Sequence, residues 1–444
     1  MRQRGHARRR AALALAPALL IVATSAATAQ ETRAAPTALV APGLSDDLTV
    51  WPNRVSYRNS DDWLWQNHDR IRKMRPRVFV LNFANDADME AIRRHAEGVA
   101  RATAEATRYH GYEDPAAPAF IEYEIARVVD LRDASSPRAG QRQTSTRFPR
   151  KPDRKPDEVL CDYAAFFADD FAEHWGVRDP RDAGRWVNLR ALIEGGFAHE
   201  LWFYAIHDSG DAWPGCETLE LKQFYDEQCR PIAGQHGHAG NGRDDTLPWV
   251  GRSFRVCFFN PHRGVGCAME NFGHTLEWIA NSSSIAYYRK YFYEYAELDL
   301  DERYGTPFDE LYRTDPQVAD SVSYPTPTSM VVKIADETRT IAPYIAFGGN
   351  VHFPPGGRQH YDKASPVTVK STIETYRRGP MDLESRRARA RDFNVKLVER
   401  VGDVAPDCMG NWTVFWRQCM PGLDNPCLDD AGRPMKNWWV FLFY

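Results

Sequence analysis

The densest chemistry in the chain lies in Arg263-Gly-Val-Gly-Cys-Ala-Met-Glu270-Asn-Phe-Gly-His274-Thr-Leu-Glu277. Glu270, His274 and Glu277 are spaced four and three residues apart, which puts all three on one face of a helix. An imidazole between two carboxylates can act as a general acid/base, or the three groups can supply metal ligands. The helix start at Gly264–Gly266 would offer free backbone N–H groups to an anion, with Arg263 beside them. The plain alternative is a solvated face carrying ordinary charge pairs. Phe272, Leu276 and Ile279 argue instead for a helix packed on a sheet, with the charged face near its rim.

Further polar clusters follow the proposed strands: Asn85-Asp86, His207-Asp208-Ser209-Gly210 and Asn260-Pro-His-Arg263. Ligands of open α/β sheets bind beyond the carboxyl ends of the strands, so these clusters would share one rim with the helix face. Each alone is also ordinary turn chemistry. Gly348-Gly-Asn350-Val-His352-Phe-Pro-Pro-Gly-Gly-Arg358 is a constrained loop presenting Asn, His and Arg. Familiar catalytic templates are missing: there is no G-x-S-x-G, no H-E-x-x-H and no G-x-x-x-x-G-K-[ST]. His274-Thr-Leu-Glu277 opens like the inverted zincin motif, but Trp278 stands where its second histidine belongs. A zinc site would therefore need His274, Glu277 and a ligand from a distant segment, with His352, His207 or Asp208 available. His236-Gly-His238 reads as a polar loop, or at most an adventitious chelate. Trp412 and Trp438, within an aromatic-rich stretch from Cys408 to Tyr444, could stack on sugars or could close the core.

The elements that must position these groups alternate. Ser60 followed by two aspartates opens a helix reaching about Met74, and Pro76 ends it. Arg77–Phe83 is a nearly continuous apolar run of the kind buried on both sheet faces. Asp88 to about Arg108 has helical spacing, and Phe120–Leu131 returns to strand composition. Residues 132–158 read as a basic surface loop. Leu160–Trp175 and Val187–Glu194 read as helices, His199–Ile206 and Ser253–Phe259 as strands, and Gly264 to about Ser283 as a helix. Alternation of this kind predicts an α/β fold with a mostly parallel sheet flanked by helices, followed by a loop-rich aromatic C-terminal part. Beyond about residue 300 the periodicity fades.

The N-terminus reads as an address. Arg8–Arg10 precede a mostly apolar run, and Ala27-Thr28-Ala29 fits small-x-small cleavage, so residues 1–29 are expected to be a signal peptide. Cleavage would remove five of the 56 basic residues, leaving 51 against 60 acidic ones. A net negative chain without a long basic run is a poor nucleic-acid binder, and no other stretch is apolar enough to span a bilayer. The expected organisation is a lead-in with a helix over 30–75, then a single α/β domain over 76–444 with a disulfide-stapled C-terminal extension. Eight cysteines without a C-x-x-C behind an export signal predict disulfides, neighbouring pairs such as Cys216–Cys229 and Cys408–Cys419 closing short loops.

The set N-x-x-R-G-V-G, E-x-x-x-H-x-x-E, G-N-x-H-F, G-N-W and terminal N-W-W resembles a group of exported bacterial proteins of unknown function, over roughly residues 75–444. The resemblance implies no activity. The chain departs from it at Pro261-His262, where the group's pattern implies an aromatic and an acid. From the residues, the expectation is a secreted or periplasmic hydrolase acting on a glycan or another cell-envelope polymer. Asp208, Glu270, His274 and Glu277 would carry acid/base catalysis; Asn260, Arg263, Asn350, His352, Trp412 and Trp438 would bind substrate. The rivals are a zinc-dependent peptidase or amidase using His274, Glu277 and His352, and an exported carbohydrate-binding protein without catalysis.

Overall fold

Three apolar runs, Arg77–Asn82 (β1), Glu200–Tyr204 (β3) and Phe254–Phe259 (β6), lie side by side and parallel at the centre of a six-stranded sheet, and every residue in them is buried. The computed structural model that shows this describes residues 39–58, 60–133, 144–207, 212–305, 322–334 and 337–444. Glu124–Asp130 (β2) adds in parallel beyond β1, while Thr218–Tyr225 (β4) and Pro231–His238 (β5) extend the far side antiparallel, giving the order β2-β1-β3-β6-β4-β5. The sheet is therefore mixed, with its parallel half where the sequence places it.

Successive strand residues face opposite sides, and two apolar layers follow from that period. Phe79, Leu81, Leu201, Phe203, Val256 and Phe258 pack against the segment around Tyr163–Ile193. Val78, Val80, Trp202, Tyr204, Cys257 and Phe259 face the helices Met89–Ala106 (α2) and Val265–Asn281 (α3) and the C-terminal aromatics. A charged row crosses the strands near their other ends. Arg255 bonds Glu200 at 2.9 Å and Glu220 at 3.1 Å, Lys222 bonds Glu220 at 3.0 Å, and all four side chains are buried. Buried charges of this kind persist only when paired.

Several boundaries differ from the sequence reading. The helix from Ser60 (α1) ends at Asn67 and passes into a 3-10 turn, because His68 turns inward to bond Tyr444 and Asn437. The helix expected over 160–175 is a 3-10 segment, Tyr163–Phe167, and a single α turn, Ala172–Trp175. His236 and His238 belong to strand β5, with His236 stacked on Trp249 at 4.3 Å, not to a loop. Past residue 300 an antiparallel meander, Val322–Thr326, Ser329–Ile334 and Glu337–Ile341, stands where turns were expected. Helices Ala286–Tyr295 (α4) and Gly410–Gln418 (α5) were also unforeseen.

Ala38–Tyr444 forms one compact unit that includes α1. The expected signal peptide lies outside the described residues, and no helix among those described is long and apolar enough to cross a membrane. The cysteines correct the expected pairing: Cys267 joins Cys408, while Cys161, Cys216, Cys229, Cys257, Cys419 and Cys427 are free and buried.

Candidate functional site

Helix α3 begins without a cap of its own, since Gly264 has no side chain to offer. Asp407 supplies the cap from 141 residues further on, its Oδ1 accepting the Gly266 N–H at 2.7 Å and its Oδ2 that of Cys267 at 3.3 Å. The two segments touch so closely that a Cβ on Gly266 would lie 2.0 Å from the Asp407 carbonyl oxygen. The neighbouring Cys267–Cys408 disulfide ties the same junction covalently. The N–H groups expected to receive an anion are thus already engaged by a carboxylate.

From this anchored start, Glu270 and His274 project from successive turns toward the loop carrying His352. Gly349, in the left-handed region at φ +64°, makes the turn; its missing side chain leaves room for the Phe353 carbonyl, 2.2 Å from where a Cβ would sit. Asn350 Oδ1 then accepts the N–H groups of His352 and Phe353 at 3.1 and 3.2 Å. Two indoles of α5 fasten the loop from below: Trp416 Nε1–H donates to the Gly349 carbonyl and Trp412 Nε1–H to that of Asn350, each at 2.9 Å.

The result is a convergence of donor atoms. One atom each from Glu270, His274 and His352 lie within 4.8 Å of one another, on side chains only 12%, 16% and 19% exposed. His352 Nε2 is 3.1 Å from both Glu270 Oε1 and His274 Nε2. Glu277 stands behind His274, its Oε2 2.8 Å from Nδ1 and its Oε1 accepting the Val351 N–H at 3.1 Å. An ionised carboxylate only accepts, so Nδ1 of His274 carries the proton and the lone pair of its neutral form sits on Nε2, facing His352. Tyr361 closes the front: its hydroxyl donates to Glu270 Oε1 at 2.7 Å and lies 3.0 Å from His352 Nε2.

The electrostatics suit a cation. Burial works against charge on His274, but the hydrogen bond and charge of Glu277 overcome it and raise the imidazole above its ordinary range. Burial likewise opposes ionisation of Glu270 and Glu277. The hydrogen bonds from His352 and Tyr361 to the former, and from His274 to the latter, nonetheless hold both carboxyls below their usual values.

Of these groups Glu270 and Tyr361 line a cleft of about 850 Å³, whose walls also include Trp213, Glu217, Arg263 and Lys363. Several expected site residues play other parts. Glu277 is not a metal-facing ligand: both its oxygens are committed, to His274 Nδ1 and to Val351. Asn260 shapes the turn after β6, its Oδ1 accepting the His262 N–H and its carbonyl that of Arg263, and it also lines a small pocket with Trp213, Glu217 and Arg263. Asn350 is 2% exposed and positions His352 instead of meeting substrate. Trp412 and Trp438, 2% and 0% exposed, are core residues without a face for a sugar. Asp208 lies outside the described residues, while His207 packs tilted against Trp213 with ring centroids 4.3 Å apart. At the departure Pro261-His262, His262 Nε2 pairs with Asp86 at 2.9 Å. Glu217 and Tyr361 were missed; each stands alone in sequence, without spacing to mark it.

The chain matches no protein-family model, no curated protein and no solved structure.

Proposed function

We propose that the chain is a metal-dependent hydrolase whose ion is held by Glu270, His274 and His352. One observation carries the reading: a carboxylate and two imidazoles converge within 4.8 Å while Glu277 fixes the His274 ring through its far nitrogen. That outer carboxylate is the feature by which proteins orient a histidine ligand and raise its basicity. Three ligands from an acid and two histidines, with Glu270 on the wall of a cleft, suit a zinc-class ion. Such an ion supplies Lewis acidity toward a substrate carbonyl and lowers the pKa of water.

The remaining groups divide the work. Glu217 uses one oxygen to accept from Asn241 Nδ2 at 2.6 Å, and its carboxylate lines the same cleft wall as Glu270 and Tyr361. It takes the proton of the attacking water as the water oxygen adds to the carbonyl carbon of an amide or ester. It then returns that proton to the departing nitrogen or oxygen as the bond to carbon breaks. The Tyr361 hydroxyl, on a side chain 44% exposed, donates to the oxyanion between these steps. The metal-free alternative, Glu270 or Glu277 with Asp208 as the acid/base carboxylates, is less favoured because both Glu277 oxygens already accept hydrogen bonds, from His274 and Val351. Export is part of the proposal: the signal-like N-terminus and the disulfide support a secreted or periplasmic enzyme acting on a cell-envelope polymer.

The test is metal analysis after dialysis against zinc, followed by hydrolysis of a panel of amides, esters and glycosides. One zinc per chain, lost in both His274→Ala and His352→Ala with the fold retained by circular dichroism, is expected. A wild-type protein that binds no divalent ion overturns the reading.

A further inference from the structure

Resting on the hydrolase reading, we infer that the cleft takes a carboxylate-bearing sugar, its ring laid on Trp213 and its anionic group held by Arg263 and Lys363. Among the described residues five large hydrophobic side chains are exposed. Val40, Leu48 and Val55 belong to the N-terminal segment; the other two, Trp213 at 40% and Tyr361 at 44%, line this one cleft. An indole kept in water beside a candidate reaction centre is informative, because tryptophan contributes a large apolar area when covered.

Trp213 is held as a ledge. One contact is the His207 ring at 4.3 Å, another the edge of Phe258 at 6.3 Å, and the Arg263 guanidinium lies 5.7 Å from its centroid. A fixed flat apolar surface matches the C–H face of a pyranose, whose hydroxyls then point outward to polar walls.

The charges on those walls are unevenly committed. Asp407 spends its carboxylate on the start of α3, while Glu217, with one oxygen on Asn241, is the carboxylate that the hydrolase reading assigns to proton transfer. Arg263 and Lys363 are exposed on the cleft and form no ion pair with a described carboxylate, whereas the nearby Arg358 is paired with Asp362 at 2.8 Å. With the helix N–H groups already occupied, anion recognition falls to these two side chains. Arg263 presents a planar fork to a carboxylate and Lys363 a point charge. An acidic peptide would satisfy the cations but leave the indole ledge unused, since its carboxylates hang on flexible stems. A neutral glycan would use the ledge and leave the cations idle. A uronate-type sugar uses both.

Calorimetry on zinc-loaded full-length protein tests this with trisaccharides of galacturonate, mannuronate and glucuronate, beside neutral cellotriose and triglutamate. At least one uronate trisaccharide should bind more tightly than cellotriose and triglutamate. Arg263→Gln, Lys363→Gln and Trp213→Ala should each weaken that binding about tenfold, the two charge variants also flattening its salt dependence, with zinc affinity unchanged. No binding by any uronate, equal binding of cellotriose or triglutamate, or indifference to Trp213→Ala overturns the inference while normal zinc binding leaves the hydrolase reading standing. Failure to bind zinc overturns that reading instead, and is read separately from the sugar titrations.

Discussion

Replacing Glu277 with glutamine tests the heart of the site without removing a ligand. The side chain keeps its size, but one acceptor oxygen becomes an N–H donor. In the wild type the two oxygens accept from His274 Nδ1 at 2.8 Å and from Val351 N at 3.1 Å. The amide can satisfy only one of these donors. If its oxygen faces His274, the Val351 N–H loses its acceptor, costing about 1–3 kcal/mol of stability. If its oxygen faces Val351, the NH2 group forces the proton of His274 onto Nε2, and the lone pair needed by an ion is gone. Either way the ring loses the negative charge behind it. Loss of such an outer partner weakens metal affinity by about 10- to 100-fold, or about 1.4–2.7 kcal/mol. Competition against a calibrated chelator measures the affinity, and urea unfolding of the metal-free protein measures the stability cost. Zinc affinity within twofold of wild type, in a variant shown to be folded, would refute the claim that Glu277 orients His274.

Three further outcomes are expected. Burial, with help from Lys436, depresses the pKa of His68 to about 3; the unfolded chain therefore binds the extra proton below about 6.5. Its contribution is full above that pH and falls by about 1.4 kcal/mol per unit as pH drops toward 3, so urea midpoints measured from pH 7.5 to 5 should decline less steeply in His68→Gln. Trp438→Ala should destabilise by about 3–5 kcal/mol in chemical unfolding, and any loss of sugar binding should vanish when only the folded fraction is counted. Alkylation of unfolded, unreduced protein followed by mass spectrometry should label six cysteines, rising to eight after reduction, with the protected pair mapping to Cys267 and Cys408.

The parallel centre of the sheet was legible because β1, β3 and β6 are mostly apolar on both faces, Arg77, Glu200 and Arg255 near their starts apart. Strand β4 was not: its Glu220 and Lys222 break the apolar pattern, and only the side-by-side pairing with Arg255 makes them interior residues. Helix α5 is buried on nearly every side, so Trp412, Val414, Phe415 and Trp416 show no amphipathic stripe. At the site, Glu270, His274 and Glu277 announced a shared face through their spacing. Their division of labour depended on Val351 and His352, about 80 residues away, and on a loop geometry that no local pattern encodes. His352 was singled out from its glycine- and proline-bounded loop, yet its meeting with Glu270 is purely a product of the fold.

The indole hydrogen bonds beneath that loop bear on how fast an ion could come and go. Gly349 and Asn350 are tied through Trp416 and Trp412 to a helix whose packing extends through Phe415 to Phe393 and through Trp416 to Tyr295. The segment carrying His352 cannot swing outward as an ordinary surface loop while those bonds hold. Withdrawal of its ligand would require the aromatic layer itself to open, an event drawn from the slow, cooperative end of native fluctuations. Exchange of bound zinc against free isotope should then keep pace with amide-hydrogen exchange along Gly410–Gln418, and both should slow together in conditions that tighten the core.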